Sequence, residues 1–173
     1  MSAKRLDPIL TLETDRLILQ PLTNDDRALV YELYGNQKVT AGFGREAFTD
    51  KELDEKASQL LGSWKTRGFC QFGVVDKATG AKIGIGGIRP TAESGVGEIG
   101  CVFNPEWWGK GIATEAVSKW IEWGFEVLKL SSIIANVVDN PASIRVLQKY
   151  GFDIVKSDEN GASLVLPRPA STP

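Results

Sequence analysis

The sequence predicts a mixed α/β (α+β) fold, a mostly antiparallel central sheet with helices packed on it. Three observations carry the prediction. An apolar-rich run at 99–103 stops at Asn104-Pro105, crosses Gly109-Lys110-Gly111 and gives way to a helical pattern. There Ala113, Val117, Trp120, Ile121, Gly124 and Leu128 recur at three- and four-residue spacing, one apolar face against a sheet. A short β-branched run, 131–138, follows that helix. A helical crossover favours parallel strands, so this run should lie parallel to 97–103. Before the crossover, 69–76, 82–89 and 97–103 alternate with Gly-containing turns, the pattern of an antiparallel meander.

The elements follow in order. Residues 1–11 read as a loose arm and 16–22 as a first strand. Thr23-Asn24-Asp25-Asp26 is a helix-start cluster, and Leu29, Val30, Leu33 and Tyr34 give the stripe of a helix ending at Gly35. Residues 35–48, with three glycines, read as a long loop, either functional or a plain helix connection. Thr49 and Glu52 make a capping box for a helix carrying Leu53, Ala57, Leu60, Leu61 and Trp64, closing at Arg67-Gly68. After the meander, the glycine loop opens a helix expected to reach Lys129. Asn140 caps a further helix with Pro141 at its first position, and Gly151 stops it. Residues 152–155 and 163–166 form a last hairpin, and 167–173 a Pro-rich tail.

Composition narrows the chemistry. At 173 residues, 42% hydrophobic and 24% charged, the chain is expected to be one domain spanning 1–173, its core at about 12–166. A net charge of −2 gives no bulk attraction to nucleic acid or an anionic membrane. No apolar run approaches the ~20 residues of a membrane span, and the N-terminus lacks a signal-peptide apolar region. Two cysteines, Cys70 and Cys101, make no disulfide framework, so a reduced, cytoplasmic protein is expected. The histidine count is zero, which removes Ser-His-Asp and Cys-His machinery and His-ligated zinc. Proton transfer must use carboxylates, Tyr, Lys, Cys, hydroxyls, water or backbone.

The strand–glycine loop–helix unit is a candidate diphosphate cradle. A helix N-terminus leaves about four N–H groups unpaired and carries roughly half a positive charge. Glycines admit a phosphate to the backbone, and Lys110 adds a full charge. The cradle would comprise Gly109, Gly111 and the N–H groups of Trp108, Lys110, Ile112, Ala113 and Thr114. The alternative is an ordinary corner. Gly95-Val-Gly97-Glu-Ile-Gly100 also fits a dinucleotide fingerprint, but it precedes a strand rather than a helix, so the context fails.

The string Trp108-Gly-Lys-Gly-Ile-Ala113 resembles the acetyl-CoA loop of the GNAT N-acetyltransferases, Gln/Arg-x-x-Gly-x-Gly/Ala. Trp108 departs from the first position, while Gly111 and Ala113 match. Trp-Trp-Gly-Lys-Gly-Ile-Ala-Thr-Glu-Ala is similar to the RimJ/RimL-like branch, as are Asn140-Pro-Ala-Ser143 and Lys149-Tyr-Gly-Phe152. The resemblance covers about 12–166. It implies a GNAT-like sheet with a splayed parallel strand pair and cofactor in the cleft. The reaction would carry an acetyl group from acetyl-CoA to a primary amine by direct attack, with no metal. A protein N-terminal α-amine or a small-molecule amine would accept it, and a homodimer is left open.

Residue by residue, the resemblance implies that the backbone of Cys101, Val102 and Phe103 bonds pantetheine and polarises the thioester carbonyl. Glu98 stands where the branch has an acid and could deprotonate the amine, or it is a solvent-facing glutamate. Ser143 matches the serine proposed as acid toward the departing thiolate, or it bonds backbone in the first helical turn. Asn140 could bond pantetheine, though capping explains it. Many GNATs carry a tyrosine seven residues after this asparagine, where this chain has Leu147. A thiol nucleophile at Cys101 is disfavoured by its mid-strand place. A GNAT-shaped acyl-CoA-binding module without catalysis and a nicotinamide-dependent oxidoreductase are the rival readings.

Overall fold

The computed structural model describes residues 10–61, 63 and 71–170. Trp64, the expected helix end at Arg67-Gly68, Phe69, Cys70, most of the N-terminal arm and the last three residues lie outside them. Eight strands form one sheet in the order β1-β2-β3-β4-β5-β6-β8-β7. The first expected strand is β2 (Leu17–Pro21), paired with a two-residue β1 (Leu12–Glu13) that alternation does not reveal. The meander is β3 (Gln71–Asp76), β4 (Lys82–Pro90) and β5 (Val96–Phe103), all antiparallel. β6 (Ser132–Val137) lies parallel to β5, as the crossover requires. The hairpin of β7 (Asp153–Asp158) and β8 (Gly161–Pro167) is longer than its apolar residues suggested, and β8 pairs with β6.

The helices are α1 (Arg27–Tyr34), α2 (Gln37–Ala41), α3 (Asp50–Leu61), α4 (Ile112–Glu126) and α5 (Pro141–Lys149). α1 is entered through a 3-10 turn, Asn24–Asp26. The Thr49–Glu52 capping box forms: the Thr49 N–H donates to the Glu52 carboxylate at 2.8 Å, and the Glu52 N–H to the Thr49 hydroxyl at 3.4 Å. The stretch read as a loop at 35–48 contains α2, whose cap Asn36 accepts from the Lys38 N–H. Five residues are too few for a helical period to register. α4 stops at Glu126, short of Lys129, which takes a left-handed conformation (φ 57°) in the turn to β6.

Each sheet face carries a core. On one face α4 and α5 cover Leu17, Phe72, Ile88, Ile99, Phe103 and Ile133. Trp120 presses on β4 at Gly86, where a Cβ would stand 2.4 Å from the indole, so only glycine fits. On the other face α1 and α3 cover Ile85 and Val102. β5 therefore sends Ile99, Cys101 and Phe103 toward α4, and Glu98, Gly100 and Val102 toward α1 and α3. Among the described residues no helix is long and apolar enough to cross a membrane.

Candidate active site

The parallel pair at the centre of the sheet comes apart. β5 and β6 pair at Val96↔Ser132, Gly97↔Ile133 and Glu98↔Ile134, and the ladder ends there. β5 continues on β4 as far as Phe103↔Gly84, and β6 continues on β8 as far as Val137↔Ala162. Both strands stay bonded on their outer sides while a cleft opens between them. Residues 99–103 thus border the cleft with backbone that β6 does not pair.

β5 runs from this cleft into the glycine loop. A 3-10 turn, Pro105–Trp107, follows the strand. The Trp108 N–H donates to the Pro105 carbonyl at 3.1 Å, so this N–H, read as part of the cradle, is spent in the turn. The Trp108 indole is half exposed, and its Nε1–H donates to the Phe103 carbonyl at 2.8 Å. Lys110 Nζ lies over the Trp107 ring, 5.0 Å from its centroid. Gly109 and Gly111 have φ of 73° and 77°, and Gly111 is the left-handed cap residue of α4, with no side-chain cap. The helix ladder begins with the Glu115 N–H on the Gly111 carbonyl at 3.1 Å. The N–H groups from Gly109 to Thr114 meet no acceptor among the described residues. Ile112 is buried in the core and offers only its backbone. A run of unpaired N–H groups at a positive helix end is chemically a seat for a phosphate.

The loop is held from a strand the sequence reading did not connect with it. Arg16 donates from Nε to the Glu115 carboxylate at 2.6 Å and from Nη1 to the Lys110 carbonyl at 2.9 Å. The Arg16 backbone N–H and the Thr14 hydroxyl donate to the other Glu115 oxygen at 2.8 and 2.5 Å. Burial alone would raise the Glu115 pKa, but these donors outweigh it and hold the pKa below the ordinary carboxylate value. Glu115 is therefore a tie between α4 and the bend that precedes β2.

Glu98 lies at the last rung of the parallel ladder, on the face away from α4. Arg89 of β4 meets one carboxylate oxygen at 2.9 Å, and Asn136 Nδ2 of β6 donates to the other at 3.2 Å. Ser163 of β8 in turn donates to Asn136 Oδ1 at 2.8 Å. A polar line thus crosses four strands, and Glu98, part-exposed, is held within it. A shallow open pocket lined by Asn136, Val138, Lys156, Asp158 and Ser163 continues from it. The turn after α2 packs on this end of β6: a Cβ at Gly44 would stand 2.9 Å from Val138. Cys101 points the opposite way, toward Trp120, and burial pushes its thiol up to about 12. That is the wrong direction for a nucleophile at neutral pH.

The second helix at the cleft is α5. Asn140 Oδ1 accepts from the Ser143 N–H at 3.1 Å, so the asparagine caps the helix. The Ser143 hydroxyl makes no hydrogen bond to a described residue, contrary to the backbone-bonded alternative. Leu147 is buried in the core. Tyr150 donates its hydroxyl to the Thr114 carbonyl at 2.8 Å, tying the end of α5 to the first turn of α4.

Comparison with known proteins places this architecture. Residues 16–153 match the family described as "Acetyltransferase (GNAT) domain". The chain is 36% identical over 148 residues to the uncharacterized N-acetyltransferase YoaA of Bacillus subtilis, covering 82% of this chain and 81% of that protein. It is 32% identical over 145 residues to the uncharacterized N-acetyltransferase p20 of Bacillus licheniformis, covering 82% of each. The chain belongs to the GNAT acetyltransferase family. Among solved structures it resembles an acetyltransferase from Agrobacterium tumefaciens (TM-score 0.79, 24% identity, 97% of this chain and 100% of that one). It also resembles a ribosomal-protein-S5-alanine acetyltransferase from Vibrio fischeri (0.74, 21%, 95% and 100%). A third likeness is to a spermidine N-acetyltransferase from Vibrio cholerae in complex with CoA and spermine (0.77, 18%, 90% and 97%).

Proposed function

We propose that this protein, as one domain, transfers the acetyl group of acetyl-CoA to a primary amine, the acceptor being a protein N-terminal α-amine as in the RimJ/RimL-like branch. The observation that carries the reading is the alignment of two features on one strand. β5 leaves its parallel partner after Glu98, and the same strand leads into the unpaired N–H groups of 109–114. A long thioester can then lie with its diphosphate on the loop and its pantetheine along 101–103. Glycines at 109 and 111 fit such a group because both φ values are positive, a conformation glycine adopts without strain.

The chemistry follows from what the cleft borders. The neutral amine attacks the thioester carbon, a C–N bond forms and the C–S bond breaks. Backbone N–H groups at the free edge of β5 stabilise the oxyanion. The proton lost by the ammonium passes through water to Glu98, whose two oxygens already carry Arg89 and Asn136. The departing thiolate takes a proton from the Ser143 hydroxyl, which is restored by the second proton that the nitrogen sheds as the amide forms. Holding amine and thioester together supplies much of the rate. A protein acceptor is favoured by the openness of the pocket beside Asn136, which leaves a peptide room to continue outward. A cytoplasmic location accords with such a substrate.

The test is an acetyl-CoA turnover screen over peptides with free N-termini, polyamines and aminoglycosides. Peptides should be acetylated at the α-amine. Glu98→Gln should lower turnover by about 10²–10⁴-fold, with acetyl-CoA affinity retained and the pH–rate profile changed. Wild-type turnover and profile in that variant would remove Glu98 from the proton path. CoA binding with no turnover on any amine would favour the non-catalytic module, a reading to which Leu147 in the core lends support.

A further inference from the structure

We infer that Arg16, in the bend immediately before β2, is a positioning residue of the diphosphate seat: it aims the Gly111 N–H outward and cancels the Glu115 charge beside it. The inference rests on the reading of 109–114 as that seat.

The argument begins with one peptide plane. Arg16 Nη1 donates to the Lys110 carbonyl at 2.9 Å. In a trans peptide the carbonyl and the following N–H point in opposite directions. With the Lys110 carbonyl drawn toward Arg16, the Gly111 N–H faces away from it, to the open side of the loop. Gly111 is left-handed and glycine is conformationally permissive, so this plane needs an external hold. Arg16 supplies one through its Nη1 bond to the Lys110 carbonyl, and its Nη2 lies 3.4 Å from where a Cβ on Gly111 would stand.

The second part is charge. Glu115 sits in the first turn of α4, within a few residues of every unpaired N–H in the run. An uncompensated carboxylate there stabilises the helix but repels an incoming diphosphate. Arg16 covers one oxygen with its guanidinium, while its own backbone N–H and the Thr14 hydroxyl cover the other. The guanidinium fork is what lets one side chain reach a carboxylate and a carbonyl together.

The experiment measures binding of two probes to the full chain: CoA by calorimetry, and pantetheine, which lacks every phosphate, by NMR titration. The wild type should bind CoA far more tightly than pantetheine. Arg16→Ala should weaken CoA about tenfold or more and leave pantetheine unchanged. Arg16→Lys, which keeps a charge but not the fork, should recover only part of the loss and serves if the alanine variant misfolds. Equal losses for both probes would mean a merely structural role and overturn the proposal, as would no loss for CoA. Complete recovery by lysine would assign the effect to charge alone and overturn the peptide-orientation part. A wild type that does not distinguish CoA from pantetheine would instead refute the diphosphate seat itself.

Discussion

The two parallel strands at the cleft each lead into a helix, and the two helix starts are built oppositely. β5 leads to α4 through Gly111, which has no side chain to offer, and the N–H groups from Gly109 to Thr114 stay unpaired. β6 leads to α5 through Asn140, whose side chain takes the Ser143 N–H, while Pro141 has no N–H to satisfy. The Ile144 N–H already bonds the Asn140 carbonyl. One helix end presents a run of N–H groups to an anion, while at the other the cap leaves only the Ala142 N–H without an acceptor among the described residues. The difference lies in two cap positions, and under the proposed function it favours the start of α4 over the start of α5 as the diphosphate end of the cleft.

The largest expected effect comes from closing the open end. Gly111→Val places a β-branched side chain at φ 77°, where only the Arg16 guanidinium is near, so the cost is conformational rather than a clash. Strain of about 1–2 kcal/mol should drive the loop out of its left-handed turn and scatter its N–H groups. CoA affinity should fall about 100-fold as two charge-assisted hydrogen bonds are lost, with the circular dichroism of the fold retained. Gly111→Asn, which tolerates left-handed backbone, should keep most of the affinity. Calorimetry on both variants checks this, and unchanged affinity in the valine variant would end the contrast between the two helices.

The closed end should respond in the other currency. Asn140→Ala removes the cap and should cost about 1 kcal/mol of stability by denaturant titration. CoA affinity should stay at the wild-type value, because the asparagine oxygen is engaged by its own helix. A variant of normal stability with weakened CoA binding would make Asn140 a cofactor contact instead.

What the sequence disclosed and what it hid divide along contact distance. Signals read within one element were visible: the glycine loop, the Asn140 cap, the Thr49–Glu52 box and the crossover that sets β5 beside β6. Each depends on residues a few positions apart. The polar line Arg89–Glu98–Asn136–Ser163 was hidden because it exists only once four strands are in register. Arg16 was hidden for the same reason, since 99 positions separate it from Glu115. α2 fell below the length at which a period shows. Trp108 misled in a different way. Its motif position suggested a cradle N–H, but the proline that opens the turn three residues earlier has its carbonyl placed to take that donor first. The Leu147 departure was legible as a missing hydroxyl, and its burial shows why: the side chain belongs to the core.

The smallest expected effect concerns the tie that supports the open end. The Glu115 pKa is lowered in the folded protein, so Glu115 binds a proton less readily there than in the unfolded chain. Its contribution to stability is therefore present above the ordinary carboxylate pKa and is lost as pH falls through the depressed folded value. Denaturant titrations between neutral pH and pH 3 should show this loss in the wild type and a flatter profile in Glu115→Gln. The Arg16 guanidinium is 48% exposed, so water and salt screen the pair, and the difference should not exceed about 1 kcal/mol. Salt should shrink it further. Parallel pH profiles for the two proteins would show that Glu115 contributes no proton-linked stability in this range.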